Sequence, residues 1–333
     1  MDEIRLGTIG SGKIVHSILD NVKKTAGIRL AAVYSRSEEK GKALAEEYDC
    51  DRVYTDMEAF LADDSINTVY VATPNLFHYE QTKMALLSGK NVICEKPFVP
   101  KLSQARELAE LAKEKRLFLV EAAPTSFLPN YGILQRELPR VGRIKLVLSN
   151  YSQYSSRYDA VLSGEKPTVF DPQFAGGCFM DINFYNVYLN VALFGKPVRS
   201  VYYPNIYPGL SDTSGSMLMQ YDGFVSQNAG AKDTWGVNFF QIEGERGYIY
   251  IENGSNGIAR VRIVTKDSDE ILNEQENTDR LFYEVQELTR LFRSENYEEI
   301  YERLDVTLSV VEVMESARKA AGIYFPGDEK QVL

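Results

Sequence analysis

Ile4-Arg5-Leu6-Gly7-Thr8-Ile9-Gly10-Ser11-Gly12-Lys13-Ile14-Val15 decides the architecture, because a short apolar run ends in a glycine turn that opens directly into a helical pattern. Two phosphate-binding motifs compete for this stretch. Gly7, followed after four residues by Gly12-Lys13, nearly spells the P-loop of NTPases. That loop needs Ser or Thr after the lysine to hold Mg²⁺, and Ile14 stands there. The dinucleotide fingerprint G-x-G-x-x-G/A fits better. It puts Gly10 in the tight turn and Gly12 where the backbone approaches a pyrophosphate at a helix N-terminus. Val15 fills its third position and is larger than the usual Gly or Ala, so the helix is expected to sit slightly off the strand. Ile14, Val15, Ile18 and Val22 form one apolar stripe and predict that helix over Lys13–Lys24.

The same alternation continues downstream. Strands are expected at Arg29–Ser35, Thr68–Ala72, Asn91–Cys94 and Leu117–Val120, and helices at Glu38–Glu47, Met57–Leu61, His78–Leu87 and Leu102–Lys115. Buried, non-alternating strands separated by helices predict an α/β fold with a doubly wound parallel sheet. After Glu121 the texture changes. Arg143–Tyr154 reads as a long strand, Phe179–Phe194 as a helix stopped by Gly195 and Pro197, and six further strands follow between Ser200 and Thr265. Asp222-Gly223, Gly244-Glu245-Arg246-Gly247 and Asn253-Gly254 are hairpin signals between them. Helices Leu281–Ser294 and Leu304–Ala320 close the chain. Two domains are expected: a nucleotide-binding domain over 1–122, and an α+β domain over 123–333 built on a large, mainly antiparallel sheet.

Composition narrows the function. The chain has 333 residues, 44% hydrophobic and 25% charged, with a formal net charge of −10. That charge argues against a nucleic-acid or anionic-membrane partner. Met1-Asp2-Glu3-Ile4-Arg5 lacks the pattern of a secretory signal, no apolar stretch approaches a membrane span, and the three cysteines are widely spaced. A cytoplasmic protein with reduced thiols is the expectation. With only His16 and His78, the chain offers no Cys/His set for a catalytic zinc. No metal is expected, and the proton chemistry falls to Lys, Tyr or Asp.

Glu95-Lys96-Pro97 closes the strand Asn91–Cys94 and points a lysine toward the crevice where the strand ends of such a sheet converge. Oxidising a carbinol removes a hydride and a hydroxyl proton, and a lysine beside the nicotinamide can bond the oxygen and shuttle the proton. Taken alone, Lys96 reads rather as a solvated lysine before a turn, because most lysines are solvated. Ser35-Arg36 ends the second strand, where NAD-specific sites carry an acid for the ribose 2′-hydroxyl. An Arg there suits the 2′-phosphate, so NADP is favoured over NAD. Thr73-Pro74-Asn75 and His78 stand at a third strand end, as cofactor contacts or simply a turn and cap. Gly176-Gly177 reads as a flexible entry to a helix carrying Asp181 and Tyr185, four residues apart on one face, as proton-relay candidates or as a helix-start acid and a core ring.

Together these residues resemble the Gfo/Idh/MocA family, which includes glucose–fructose oxidoreductase and inositol dehydrogenases. The resemblance rests on Gly10-Ser11-Gly12-Lys13-Ile14, Thr73-Pro74-Asn75 with His78, Gly89-Lys90-Asn91-Val92 running into Glu95-Lys96-Pro97, Glu121-Ala122, and Gly176-Gly177 with Asp181 and Tyr185. It implies a cofactor site including Gly10, Ser11, Gly12, Lys13, Ile14, Ser35, Arg36, Thr73, Pro74, Asn75, His78, Glu95 and Lys96. It further implies catalysis by Lys96, Asp181 and Tyr185, a sugar, polyol or diol substrate, and a homodimer or homotetramer formed through the C-terminal sheet. Tyr185, where many members have His, is similar to the branch with dimeric dihydrodiol dehydrogenase and NADP-dependent xylose dehydrogenase. Ser126 replaces a frequent Arg, and Asn183 a common glycine. A cofactor-binding regulator without turnover, or a glycoside-cleaving relative, are the alternatives that this resemblance carries.

Overall fold

A computed structural model describes residues 3–329 and divides them into two compact units. The first comprises residues up to Ala123 together with Leu281–Leu308, and the second Pro124–Arg280 together with Ser309 onward.

The first unit alternates β1 (Ile4–Ile9), α1 (Lys13–Val22), β2 (Ile28–Tyr34), α2 (Glu38–Glu47), β3 (Val53–Tyr54), α3 (Met57–Leu61), β4 (Thr68–Val71), α4 (His78–Leu87), β5 (Asn91–Glu95), α5 (Leu102–Lys115) and β6 (Leu119–Ala122). All neighbouring strands pair in parallel in the order β3-β2-β1-β4-β5-β6. The doubly wound sheet expected from the sequence is therefore present. β4 and β5 are buried throughout, which is why their sequences run apolar without alternation. The order reverses between β1 and β4, the place where such sheets open a ligand crevice.

The second unit begins with α6 (Pro129–Glu137), β7 (Ile144–Ser152) and α7 (Ser156–Leu162). It continues through α8 (Phe184–Phe194), β8 (Arg199–Ile206), β9 (Asp212–Tyr221), β10 (Phe224–Ala231), β11 (Phe239–Gly244), β12 (Gly247–Glu252), β13 (Arg260–Thr265) and β14 (Asp269–Leu272). Its eight-stranded sheet runs β14-β13-β12-β11-β7-β10-β9-β8, and only the β7–β10 pair is parallel. One face is apolar and sealed by Val147, Met217, Met219, Phe240, Ile242 and Ile249. Buried amides then fix α8 on this face. Asn190 donates to the Asn228 side chain at 2.8 Å, and Asn186 donates to the Ala229 carbonyl at 2.9 Å. Such a network is costly to shift because each displaced amide would lose its bonds in a dry interior.

The final helices are α9 (Arg280–Ser294) and α10 (Tyr297–Ala320). Residues 281–308 group with the first unit because Phe118 receives both Phe292, edge-on at 4.6 Å, and Tyr297, stacked at 4.3 Å. α10 starts at Tyr297 rather than Leu304: its acidic opening, Glu298 and Glu299, suits a helix N-terminus though it breaks the apolar pattern. Asn253-Gly254 is not a tight hairpin. β12 and β13 pair, but a loop over 253–259 joins them, held where Asn186 accepts from the Ser255 hydroxyl at 2.6 Å. Among the described residues no helix is long and apolar enough to cross a membrane, and no group of three or more His, Cys, Asp or Glu is placed to hold a metal ion.

Candidate active site

The glycine turn behaves as its spacing demands. Gly10 has φ +121°, and a Cβ there would lie 2.4 Å from the Ala72 carbonyl oxygen, so only glycine fits between β1 and β4. Gly12 caps α1 without any side-chain bond, and nothing lies within 4 Å of where its Cβ would be. The first amides of α1 therefore face open space, the arrangement that receives a pyrophosphate.

This space is a cleft of about 430 Å³ with three walls. Gly10, Ser11 and Gly12 form the first. Ser35, Arg36 and Ser37, with Lys40 a turn further on, form the second. Thr73 and Pro74, with Phe77 and Gln81, form the third. Ser37 caps α2 by accepting from the Lys40 amide at 3.3 Å. Arg36 and Lys40 are both exposed beside this cap. Arg36 and Lys40 line this wall of the cleft, and no carboxylate is among its lining residues. Lys40 escaped notice in the sequence, although its four-residue spacing from Arg36 on a helix start was visible. Lys13, Ile14, Asn75, His78, Glu95 and Lys96 are not among the lining residues of this cleft.

His78 differs most from its expected role. It is fully buried, with Nε2 2.8 Å from the Thr73 carbonyl and Nδ1 3.1 Å from those of Pro97 and Phe98. Burial pushes its pKa down against these carbonyls, which favour the protonated ring. A ring so enclosed braces the turn after β4 against the turn after β5 and leaves no edge for a ligand.

The turn that carries Lys96 is held from the other side as well. The Phe98 amide donates to Glu121 at 2.8 Å, and Glu121 accepts from the Thr307 hydroxyl on α10 at 2.9 Å. Burial pushes the Glu121 carboxyl up to about 7. Glu95 accepts from the Tyr70 hydroxyl at 2.5 Å and from the Lys96 amide at 3.2 Å. The Glu-Lys-Pro triplet is thus a rigid mount, with Lys96 half-buried on it and the Lys96–Pro97 peptide cis.

The second unit holds the other candidates. Gly176 and Gly177 serve close packing rather than flexibility. A Cβ on Gly177 (φ +138°) would lie 2.3 Å from an Asp212 oxygen, and one on Gly176 2.6 Å from the Thr168 carbonyl. Asp212 is buried and accepts from the Phe179 amide and the Tyr202 hydroxyl, both at 2.7 Å, which anchors the next segment. That segment, Phe179–Asn183, is a π-helical turn that carries Asp181 and leads into α8. Such turns are frequent at functional sites. Tyr185 follows with its ring buried against Tyr151 at 5.7 Å and Phe184 at 5.6 Å, and with the Arg280 guanidinium 5.9 Å from its centre. Asn183 faces β10, where a Cβ on Gly230 would come within 2.8 Å of its own Cβ. Ser126 accepts from the Tyr188 hydroxyl at 3.0 Å.

The sequence reading overlooked Lys232, just past β10. Its ammonium pairs with the Asp181 carboxylate. No motif marks it, and the only local signal is the run Ala229-Gly230-Ala231, small residues that let the Asp181 segment approach the sheet.

Three comparisons place this geometry among known proteins. Residues 4–122 match the GFO/IDH/MocA profile, described as an oxidoreductase family with an NAD-binding Rossmann fold. The chain is 33% identical over 329 residues to scyllo-inositol 2-dehydrogenase (NADP(+)) IolU of Bacillus subtilis, covering 98% of this chain and 99% of that protein. It is 25% identical over 319 residues to the human trans-1,2-dihydrobenzene-1,2-diol dehydrogenase, covering 91% of each. In structure it resembles KijD10, a 3-ketoreductase from Actinomadura kijaniata solved with NADP and TDP-benzene. The TM-score is 0.85 at 21% identity, over 97% of this chain and all of that one.

Proposed function

The chain belongs to the Gfo/Idh/MocA family of NAD(P)-dependent oxidoreductases, and from that premise we propose that it transfers hydride between NADP(H) and a secondary carbinol of a sugar, cyclic polyol or vicinal diol. The observation that carries the cofactor half is the wall of Ser35, Arg36, Ser37 and Lys40, cationic and without an acid where a 2′-hydroxyl would need one. The relatives named for scyllo-inositol and trans-dihydrobenzenediol support the substrate half. In this reading the α1 amides hold the pyrophosphate and the Thr73–Pro74 turn lies along the nicotinamide half. Bound NADP⁺ supplies the hydride acceptor. Lys96 bonds the reacting oxygen and steadies the charge that develops there. Tyr185 is the acid/base or its immediate partner, and Asp181 accepts from a substrate hydroxyl. The three free thiols, with Cys94 and Cys178 buried, suit a reducing compartment such as the cytoplasm.

Calorimetric titration with both cofactors tests the preference. Arg36→Ala is expected to weaken NADP⁺ binding roughly tenfold to a hundredfold, the worth of one charge-assisted phosphate contact, and to leave NAD⁺ binding unchanged. Equal affinities for the two cofactors, indifferent to the substitution, would refute it.

Assembly follows from the sheet of the second unit. Its other face exposes Tyr203, Leu218 and Val225 on the adjacent strands β8, β9 and β10. We assign this face to a second copy of the chain, because exposed apolar side chains on three adjacent strands are what an interface between copies would cover. Light scattering at micromolar protein is expected to give at least twice the chain mass, and Leu218→Glu with Val225→Glu to lower it. A monomeric mass for the parent protein would contradict this assignment.

A further inference from the structure

Lys232 has no role in the reaction as proposed so far, yet both its backbone and its side chain are held in place. Its amide donates to the Thr213 carbonyl at 2.8 Å, and its carbonyl accepts from the Ser155 amide at 2.9 Å, so the backbone is pinned to β9 on one side and to the segment after β7 on the other. Its side chain is 9% exposed, its ammonium pairs with Asp181, and it lies 5.9 Å from the centre of the Phe170 ring. Phe170 is itself fully buried in a small apolar cluster with Val161 and Leu210. The neighbouring carboxylate, Asp233, bonds the hydroxyls of Thr213 at 2.7 Å and Ser214 at 3.0 Å.

The two partners of the ion pair are unequal. Asp181 is 30% exposed at its side chain and Lys232 only 9%. The carboxylate is reachable from outside while the ammonium stands behind it. A buried ammonium is tolerable only with its counter-charge in place, and the counter-charge is in turn held to one position. A carboxylate so fixed can only accept hydrogen bonds, and a hydroxyl is the complementary donor.

Resting on the functional reading above, we propose that Lys232 is a positioning residue which holds Asp181 as the acceptor for the substrate hydroxyl next to the reacting carbinol. The site is thereby selective for compounds with a hydroxyl next to the reacting carbinol. A site built around a hydroxyl discriminates against an analogue that lacks it, because the contact made to that hydroxyl is then lost.

The test compares D-xylose with its 2-deoxy analogue, and scyllo-inositol with its monodeoxy analogue, in the parent protein, Lys232→Met and Lys232→Arg. NADPH affinity is followed by fluorescence, and the pair that the parent turns over is used. The parent is expected to favour the hydroxylated compound by about tenfold or more in kcat/KM. Lys232→Met is expected to lose most of that preference, chiefly by losing roughly tenfold to a hundredfold on the hydroxylated compound. Lys232→Arg should restore it, and NADPH affinity should stay constant throughout. Unchanged preference in Lys232→Met overturns the proposal. So do equal losses on both compounds that Lys232→Arg fails to rescue, since those mark a purely structural lysine. A parent protein that binds NADPH but oxidises no polyol or aldose refutes the functional reading itself, and the proposal falls with it.

Discussion

Lys96→Met is expected to lower turnover by about 10²–10⁴ while the protein folds and binds NADP(H) normally. The loss is large because the substitution removes both a positioned donor and the charge beside a developing alkoxide. Binding should survive, since Lys96 does not line the cleft between the β1, β2 and β4 turns. Folding should survive too, because the turn is held through other groups: the Phe98 amide on Glu121, the Pro97 and Phe98 carbonyls on His78, and the Glu95 carboxylate on Tyr70. Steady-state NADPH formation, paired with a fluorescence titration of NADPH, separates the two effects. Retention of more than a tenth of the parent kcat would show that Lys96 does not meet the reacting oxygen.

The second large effect is expected at Tyr185→Phe. This change keeps the ring contacts with Tyr151, Phe184 and Arg280 and deletes one hydroxyl. If that hydroxyl moves the proton, kcat falls by about 10²–10⁴ and the melting temperature hardly changes. If the tyrosine is only a core ring, kcat stays near the parent value, and the small cost appears in stability alone. A preserved kcat would leave Lys96 to exchange its proton with water or Asp181.

The parts of the fold that were legible in the sequence are those where one physical constraint acts on a few adjacent residues. Gly10 could be read because a positive φ and a carbonyl 2.4 Å from its would-be Cβ leave one residue type possible. The buried strands β4 and β5 could be read because dryness on both sides removes polar alternation. β3, two residues long, and β14, a polar edge, carry no such constraint and passed as loops. α6 was hidden although Pro129 marks its first turn, because its apolar residues are few. Among the candidate site residues, Ser35, Arg36, Thr73 and Pro74 line one cleft, since each sits at a strand end of one sheet. His78 shows the limit of that logic: a polar residue at a strand end can as well be consumed by backbone carbonyls. Lys232 meets Asp181 from 51 residues away along the chain, and no local pattern encodes such a pairing.

The most direct measurement of the central claim is isotope transfer. The protein is incubated with NADP⁺ and a panel of aldoses, cyclic polyols and vicinal diols deuterated at the carbinol carbon, and the NADPH formed is analysed by mass spectrometry. The account expects deuterium at the nicotinamide C4 with at least one neutral vicinal polyol or aldose, on one face of the ring, and none with Lys96→Met. Tight NADP⁺ binding with no deuterium transferred from any member of the panel would contradict it and would mark the protein as a cofactor-binding regulator.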